Sequence, residues 1–444
     1  MTPNPKYMHL CTPIKRNFIS ILLIAFSAAS FCQLPCENDT TGLKSLIDLK
    51  FGYYLGYQGG LYPNGLNTMP FPHYSAGMNA SRKVLPRDED GNVDWADGKV
   101  VMISMGASTA GNAFNHFKTI ANANPMVNHC LKIVNCTVGS KGLEIMYDTI
   151  EQGWYWDDNI IPDLDDANVT NKQVQVVWIM ATSRVDTILY WPFQPRAVAD
   201  RYETLMGVLV SKFPNLQMVF LSGFPYGDYA DPLKEFYGMI KEPSSYWNNW
   251  TVKWLIERQI NNDPDLKFTE PGRQSAWLGW GPHLWADGLR ANATDGLLWN
   301  CMVDFKPDGG GYHLSDIGKE KEGNILFDYF FTSPLSATWF RQNPRWVSCD
   351  SALRSAPDFE TSEINIFPNP ANHEFNFEFV KAPVENADIE IINYLGESVY
   401  RKHISLNPDY YIDEINVSQL NSGLYHLIVQ SGEQVWERSL LVQH

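Results

Sequence analysis

Ser108 is the residue in this chain whose type and position most clearly suggest chemistry. Residues 100–103 are all apolar and predict a buried parallel strand, and the segment from about Ala110 onward can be helical. Free backbone N–H groups and the helix dipole favour negative charge at the start of a helix. A serine there suits a nucleophile whose reaction passes through an oxyanion, although serine is also a preferred residue at a helix N-cap.

His313 is the candidate base for Ser108. It stands just before a predicted helix over residues 315–331, at the far end of the same predicted domain, and Asp316 lies in the first turn of that helix. Histidine is the usual general base for a serine nucleophile. This position favours a catalytic histidine over an exposed loop histidine.

A second acid–base pair, His283 and Asp287, lies in an aromatic stretch of the chain. No strand-to-helix junction surrounds this pair, so it ranks below Ser108 and His313. The sequence has no His-Glu-x-x-His pattern, no phosphate-binding loop and no Rossmann glycine pattern. It therefore predicts neither a metal nor a nucleotide cofactor.

Aromatic residues make up 13% of the chain and include 15 Trp, which is rich for an ordinary domain. We expect most of the tryptophans to pack in the core. A few are candidates for a platform that binds sugar rings. Trp277, Trp280 and Trp285 lie together in one loop-like stretch.

Composition and the amino-terminal segment indicate an exported protein. The 444 residues suffice for two or three domains, and the net charge of −16 argues against nucleic acid or an anionic membrane as partner. Residues 1–32 have the order of a secretory signal peptide, and their apolar run is too short to span a bilayer. A lipoprotein leader ranks second because Phe31, which is not small, precedes Cys32. No other segment has the length of a transmembrane helix.

Five cysteines remain after the predicted leader, namely Cys36, Cys130, Cys136, Cys301 and Cys349, in a compartment that allows disulfides. Cys130 and Cys136 flank a predicted strand, which holds them too far apart for easy pairing. Because five is odd, at least one cysteine stays free or pairs with another chain.

The pattern along the chain defines two structured regions. Residues 33–98 form a loop-rich extension, and residues 99–346 alternate strands with helices, which predicts a parallel α/β sheet. The predicted strands of that sheet cover residues 100–105, 131–136, 174–180 and 217–221, and its main helices cover 196–212, 245–262 and 315–331. Residues 347–363 form a predicted linker. Residues 364–444 alternate apolar and polar residues between turn clusters, which predicts a small antiparallel β-sandwich.

The C-terminal segment resembles the sorting domain of type IX secretion substrates in Bacteroidetes. Three motifs carry the resemblance in order: Ile366-Phe367-Pro368-Asn369-Pro370-Ala371, then Asn393-Tyr394-Leu395-Gly396, then Leu420-Asn421-Ser422-Gly423-Leu424-Tyr425. The resemblance implies a signal that an outer-membrane translocon reads, so the type IX machinery is an expected partner. It also implies a protein that passes the periplasm and reaches the cell surface or the medium. A generic adhesive sandwich is the alternative.

Residues 99–346 resemble a divergent SGNH (GDSL-type) hydrolase. Gly106-Ala107-Ser108 matches the first block of that family, Gly139 matches the glycine of the second block, and His313 matches the histidine of the last block. The resemblance implies a flavodoxin-like, three-layer α/β/α domain. It also implies that Ser108 is the nucleophile, that His313 is the base, and that the N–H groups of Ser108 and Gly139 bind the oxyanion.

Two positions depart from the family pattern. The family places an acid three residues before its histidine, where this chain has Gly310; the nearest acid upstream is Asp308, which a Gly-rich loop can bring to the imidazole, and Asp304 is also close. The asparagine of the third block is missing, and Thr182 and Ser183 offer only hydroxyls there. We predict Asp308 as the third triad member and these two hydroxyls as further oxyanion-hole candidates.

These residues predict a secreted serine esterase that removes acyl groups from a polysaccharide or another extracellular ester, without a cofactor. The alternative is a non-catalytic protein that keeps the SGNH scaffold and binds glycan with its aromatic residues. Ester turnover distinguishes these two functions.

Overall fold

The computed structural model describes residues 39–185, 190–230, 237–306, 311–342, 363–380, 386–393, 397–405, 410–431 and 434–444. The predicted signal peptide, residues 347–362 of the predicted linker, Cys36, Cys349 and Asp308 lie outside the described residues. The predicted domain boundaries stay predictions. Within the described residues, no helix is both long enough and apolar enough to cross a membrane.

The region before the predicted linker contains both β-strands and α-helices, some of them short. Its strands are β1 (Tyr53–Tyr54), β2 (Tyr57–Gln58), β3 (Val100–Gly106), β4 (Leu131–Asn135), β5 (Val174–Met180), β6 (Met218–Leu221) and β7 (Trp277–Trp280). Its α-helices are α1 (Leu46–Leu49), α2 (Phe71–Arg82), α3 (Ser108–Ala123), α4 (Leu143–Met146), α5 (Ile161–Asp166), α6 (Phe193–Lys212), α7 (Tyr237–Ile240), α8 (Ser244–Ile260), α9 (Cys301–Asp304), α10 (Asp316–Thr332) and α11 (Pro334–Phe340).

Strands β3 to β7 form one parallel sheet in the order β4-β3-β5-β6-β7. The chain therefore starts in the interior of the sheet, adds one strand on one side and then three on the other. This is the flavodoxin-like order of a doubly wound α/β sheet. The predicted fold class of this region is confirmed.

The side chains of β3 alternate between two apolar clusters, one on each face of the sheet. Val101 and Ile103 pack with residues of α6 and α8, whereas Val100 and Met102 pack with residues of α3, α10 and α11. All seven residues of β3 are buried. Because helices cover both faces, neither face of the strand is left for polar residues. This explains why residues 100–103 of the strand form an apolar run in the sequence.

Strand β7 and helix α2 correct the expectation from sequence, which placed both segments in loops. The two elements depend on each other, since Nε2 of His73 lies 2.8 Å from Leu278 O and Nε1 of Trp277 donates to His73 O at 3.0 Å. The strand has only four residues, and the helix carries Pro72 in its first turn. Neither has a strong period of its own, so tertiary contacts decide their conformation.

The C-terminal region is a two-sheet antiparallel sandwich, as predicted. Its strands are β8 (Glu363–Phe367), β9 (Glu374–Val380), β10 (Asn386–Ile392), β11 (Ser398–Ser405), β12 (Tyr410–Asn416), β13 (Gly423–Ser431) and β14 (Gln434–Val442). They form one sheet in the order β11-β10-β13-β14 and a second in the order β12-β9-β8. Alternate residues such as Phe375, Phe377, Ile389 and Ile391 meet in the core between the sheets.

The cysteines agree with an exported protein. Cys130 and Cys301 each form a disulfide, whereas Cys136 is free and buried. The prediction that Cys130 and Cys136 do not pair is confirmed. Burial raises the pKa of the Cys136 thiol well above its ordinary value, so this cysteine is a packing residue and not a reactive thiol.

Candidate active site

Strand β3 and helix α3 meet at a turn that requires glycine. Gly106 has a φ of +151°, and a Cβ atom there would lie 2.4 Å from Met180 O and 2.7 Å from Ala110 Cβ. The end of β3 therefore runs directly against the end of β5, and Ser108 is the first residue of α3. This places the serine at the carboxyl edge of the parallel sheet, where open α/β folds bind their ligands.

Ser108 and His313 are in hydrogen-bond contact although they lie 205 residues apart, with Oγ of the serine 2.9 Å from Nε2 of the histidine. Both side chains are partly buried. When the hydroxyl donates this bond, Nε2 is the acceptor and the neutral ring carries its proton on Nδ1. That arrangement of serine and imidazole is the one that general-base activation needs.

The loop that carries His313 is fixed on both sides of the ring. Gly311 has a φ of +73°, and a Cβ atom there would lie 1.7 Å from Tyr229 O, so this position requires glycine. The carbonyl oxygen of His313 accepts from Lys306 N at 2.8 Å. The next residue, Leu314, is fully buried. These contacts hold the imidazole over the start of α3.

The acid of the predicted triad, Asp308, lies outside the described residues, so its role stays a prediction. The neighbouring candidate Asp304 has other partners, because its Oδ2 accepts from Lys321 Nζ at 2.8 Å and from Asn300 N at 2.7 Å. Its backbone oxygen accepts from Ser315 N at 2.8 Å. Asp304 therefore anchors the two ends of the loop around His313.

The start of α3 offers backbone donors for an oxyanion. Gly111 N donates to Ala107 O at 3.0 Å, which closes the first turn. The N–H groups of the residues before it have no acceptor within a helix, and Ser108 is among them. The helix dipole adds a partial positive charge at the same place.

Gly139 lies in the loop that passes this turn. The N–H of Val138 donates to Gly106 O at 3.0 Å, so the loop after β4 runs beside the end of β3. Gly139 itself is exposed, and a Cβ atom there would meet nothing within 4 Å. Packing does not require a glycine at this position, which removes one structural reason for it. Its role as a donor stays a prediction.

Thr182 and Ser183 follow β5, the strand beside β3, and so lie at the same edge of the sheet. Thr182 is 8% exposed and Ser183 is 1% exposed. The hydroxyl of Ser183 accepts from Val185 N at 3.4 Å, which uses it in a local turn. Thr182 is thus the better placed of the two for contact with a substrate, and both assignments stay predictions.

Asn248 of α8 is a residue of this edge that the sequence did not indicate. Its Nδ2 donates to Ala181 O at 3.1 Å, its Oδ1 accepts from Phe224 N at 3.2 Å, and the side chain is buried. The amide therefore connects the end of β5 to the segment after β6. An amide in the aromatic first half of α8 was the signal that could have indicated it.

The structure does not support the assignment of His283 and Asp287 as an acid–base pair. Asp287 Oδ1 accepts from Thr41 N and Thr41 Oγ1, both at 2.6 Å, and its Oδ2 accepts from Gly42 N at 3.0 Å. Both ring nitrogens of His283 are buried without a hydrogen-bond partner in the described chain, and burial lowers the pKa of this histidine to about 4.

Trp277, Trp280 and Trp285 offer no platform to a sugar ring. Trp277 and Trp285 are fully buried, and Trp280 is 2% exposed. These tryptophans belong to the core, as expected for most tryptophans of the chain. Among the described residues, no group of three His, Cys, Asp or Glu side chains could hold a metal ion.

Comparison with known proteins identifies the C-terminal sandwich. The family described as secretion system C-terminal sorting domain matches residues 365–443. This domain is a signal of the type IX secretion system, and it directs the protein to the cell surface or to the outside of the cell. No curated protein matches the chain with significant similarity.

Three solved structures with weak similarity are described as a lipase, an esterase and a drug-metabolizing enzyme. A GDSL-like lipase from Parabacteroides merdae is 12% identical, with 55% of this chain and 98% of that chain covered and a TM-score of 0.30. An acetyl xylan esterase is 14% identical, with 52% and 98% covered and a TM-score of 0.26. A gut microbial diltiazem-metabolizing enzyme is 12% identical, with 71% and 72% covered and a TM-score of 0.28. Likenesses this weak do not establish a shared function, so the chemistry of this chain rests on its own residues.

Proposed function

We propose that this protein is a secreted serine esterase that removes acyl groups from an extracellular ester such as an acylated polysaccharide. The observation that carries the proposal is the 2.9 Å contact between Ser108 Oγ and His313 Nε2 at the first residue of α3. The contact supplies a nucleophile and its base, and the start of the helix supplies donors for the negative charge that the reaction develops.

The reaction proceeds through an acyl-enzyme. Ser108 Oγ attacks the ester carbonyl carbon while His313 Nε2 accepts the hydroxyl proton, and the alcohol then leaves with that proton as the carbon–oxygen bond breaks. A water molecule next gives its proton to His313 and attacks the acyl group on Ser108. The carboxylic acid leaves, and the proton returns to the serine.

The remaining site residues take supporting roles in this proposal. The oxyanion is bound by the N–H groups of Ser108 and Gly139, with a hydroxyl of Thr182 or Ser183 in place of a third donor. Asp308 orients the imidazole from the loop before His313. The positions of α3, the loop after β4 and the end of β5 at one edge of the sheet support these roles.

Covalent labelling tests the proposal directly. A fluorophosphonate probe is expected to label the wild-type protein at one serine, identified as Ser108 by peptide mass analysis. Ser108→Ala should lose the label and His313→Ala should label far more slowly, because the serine then lacks its base.

Ser211→Ala is the matched control, because Ser211 is an exposed serine in the last turn of α6. It should label like the wild type. A folded wild-type protein that neither reacts at Ser108 nor hydrolyses short-chain esters would contradict the esterase and favour the glycan-binding alternative.

A further inference from the structure

Five large apolar side chains are more than half exposed on two segments of the chain. Phe51, Tyr53 and Leu55, at the β1–β2 hairpin, are 63%, 66% and 65% exposed. Tyr190 and Phe193, just before and at the start of α6, are 57% and 52% exposed. We call these five residues the aromatic surface. Large exposed apolar patches on a folded protein mark interaction sites.

The two segments are joined through Trp191. The rings of Tyr54 and Tyr57, in the same hairpin, lie 4.9 Å and 5.2 Å from the ring of Trp191 in edge-to-face contact. Tyr190 and Phe193 flank Trp191 in sequence, and their rings lie 5.1 Å apart. Because Trp191 contacts the hairpin and follows Tyr190 in sequence, the two segments meet at one packed aromatic layer.

That layer is held by polar contacts as well. Trp247 Nε1 donates to the hydroxyl oxygen of Tyr54 at 3.0 Å, and Arg196 donates to that of Tyr57 at 3.0 Å. The Arg196 guanidinium also lies 5.6 Å from the ring centres of Tyr57 and Trp254. These contacts fix the backbone segment that carries Tyr53, so less conformational entropy is lost there when a ligand binds.

The tip of the hairpin carries backbone strain. Leu55 has a φ of +45° and is followed by Gly56 with a φ of +90°. Asparagine or glycine suits such a turn, whereas leucine pays a steric cost there. Exposure of this leucine adds no burial to compensate for the cost. Strain retained at an exposed apolar residue suggests a contact with a ligand.

The aromatic surface is connected to the edge of the sheet that holds Ser108. Met180, the last residue of β5, pairs with Gly106 in the sheet. The next residue, Ala181, accepts the hydrogen bond from Asn248 of α8. Trp247, which precedes Asn248 in α8, donates a hydrogen bond to the hydroxyl oxygen of Tyr54 in the hairpin. Two successive residues of α8 therefore link the end of β5 to the layer behind the aromatic surface.

We propose that the aromatic surface binds a neutral glycan chain whose acylated sugar occupies the Ser108 site, an inference that rests on the proposed function. Flat aromatic side chains, some with hydroxyl groups, complement sugar rings that have an apolar face and a polar rim. The chain's net charge of −16 opposes anionic lipid and anionic polymers. A neutral polymer carries no such repulsion.

The test compares a polymer with a small ester. The substrates are acetylated glucomannan, which is a neutral polymer, and p-nitrophenyl acetate. In the triple variant Tyr53→Ala, Tyr190→Ala, Phe193→Ala, we expect the ratio of kcat/KM for the polymer to kcat/KM for the small ester to fall by about tenfold or more. The matched control is Trp95→Ala. Trp95 is also an exposed aromatic residue, at 41%, but it lies before the start of β3 and so away from the end that leads to Ser108. It should leave the ratio unchanged.

Binding is measured separately in the Ser108→Ala background, so that it does not depend on turnover. Retardation in a gel that contains acetylated glucomannan should be lost in the triple variant and kept in the Trp95→Ala control. An unchanged ratio together with unchanged retardation would overturn the inference while leaving the esterase intact. Retardation without any ester turnover would overturn the proposed function and keep the glycan surface. A triple variant that differs from wild type only in dimerisation, or only in binding to phosphatidylcholine vesicles, would also overturn the inference.

Discussion

The α/β region and the C-terminal sandwich differ in how distant in sequence their interacting residues are. In the α/β region, the candidate nucleophile and base are 205 residues apart, and the loop of the histidine depends on the segment after β6. In the sandwich, β8 pairs with β9, β10 with β11 and β13 with β14, so many contacts lie within hairpins. One substitution is therefore enough to remove the contact between Ser108 and His313. The sandwich, which is built from hairpins, can be deleted as a whole.

The two regions also differ in how they bury their strands. Residues of β5 are buried at every position, because helices cover both faces of its sheet. Residues of β10 alternate between exposed or half-buried and buried positions, because one face of its sheet packs on the other sheet and one does not. The first arrangement gives strands that are mostly apolar, and the second displays polar groups along the strand.

Loss of the nucleophile should give the largest effect. Ser108→Ala is expected to reduce kcat for a short-chain ester by about 10⁴-fold or more, because no other group can form the acyl-enzyme. The thermal midpoint should change little, since the serine is only partly buried. Kinetics with p-nitrophenyl acetate and a thermal melt provide the two measurements.

The same variant should still be exported in normal amounts, because the sorting signal lies in the other region. Full esterase activity in Ser108→Ala would show that the distant pair is not the site.

Removal of residues 364–444 should produce the opposite outcome. We expect a folded, active α/β region that accumulates in the periplasm and is nearly absent from the medium, because the sorting signal has been removed. Contacts to α2, such as the hydrogen bond that Arg82 donates to Asn376 and the Phe71–His373 ring contact at 5.6 Å, would be lost. Immunoblots of cell fractions and esterase assays measure the two properties.

If the truncated protein unfolds, the sandwich is not an independent unit and the comparison between the two regions fails. If it is exported normally, the sorting role in this chain is refuted.

The oxyanion hydroxyls should give a smaller effect on catalysis than the nucleophile. Loss of one oxyanion donor typically costs about 100- to 1000-fold in kcat, and a hydroxyl that acts through water should cost less. Thr182→Ala is expected to reduce kcat more than Ser183→Ala, because Thr182 is the more exposed side chain and Ser183 already accepts a bond from Val185 N. Steady-state kinetics with a soluble ester distinguish the two variants.

Equal activity of both alanine variants and the wild type would assign these residues to the local turn. The oxyanion would then depend on backbone donors at the start of α3.

The smallest effect concerns the pH dependence of stability in the α/β region. Both carboxyl oxygens of Glu322 are buried without a hydrogen-bond partner in the described chain, and burial raises the pKa of this group to about 8. The folded state therefore keeps a proton that the unfolded chain releases near pH 4.3, about the ordinary value for glutamate. Stability from this group is present at acid pH and is lost as pH rises toward 8.

Glu322→Met should remove that loss. We expect the difference in Tm between variant and wild type to grow by roughly 5 °C between about pH 5 and pH 8. Glu320→Met is the matched control, because Glu320 is exposed on the same helix. A constant difference across this range would contradict the buried, protonated state of Glu322.

The sequence predicted the sandwich closely, because a sheet with one buried face gives a period of two that is visible in residues such as Phe375 and Phe377. It also predicted four of the five strands of the parallel sheet. The contact of Ser108 with His313 could not follow from spacing, because 205 residues separate them; the resemblance to a hydrolase family suggested it.

The elements that the sequence did not predict are those stabilised by distant partners. β7 depends on His73 of α2, and Asn248 reaches the end of β5 from a helix that begins far along the chain. The sequence did not predict the aromatic surface either, because the hairpin and the segment before α6 meet only through the contacts of Tyr54 and Tyr57 with Trp191.

Gly311 links the position of His313 to a different part of the molecule. Any side chain at this glycine would overlap the carbonyl oxygen of Tyr229. The histidine loop and the segment after β6 are therefore closely packed and complementary in shape. For protein engineering, these two loops must therefore be exchanged together. A substrate loop grafted after β6 must bring the matching histidine loop with it, or the new enzyme would gain a pocket and lose the alignment of its base.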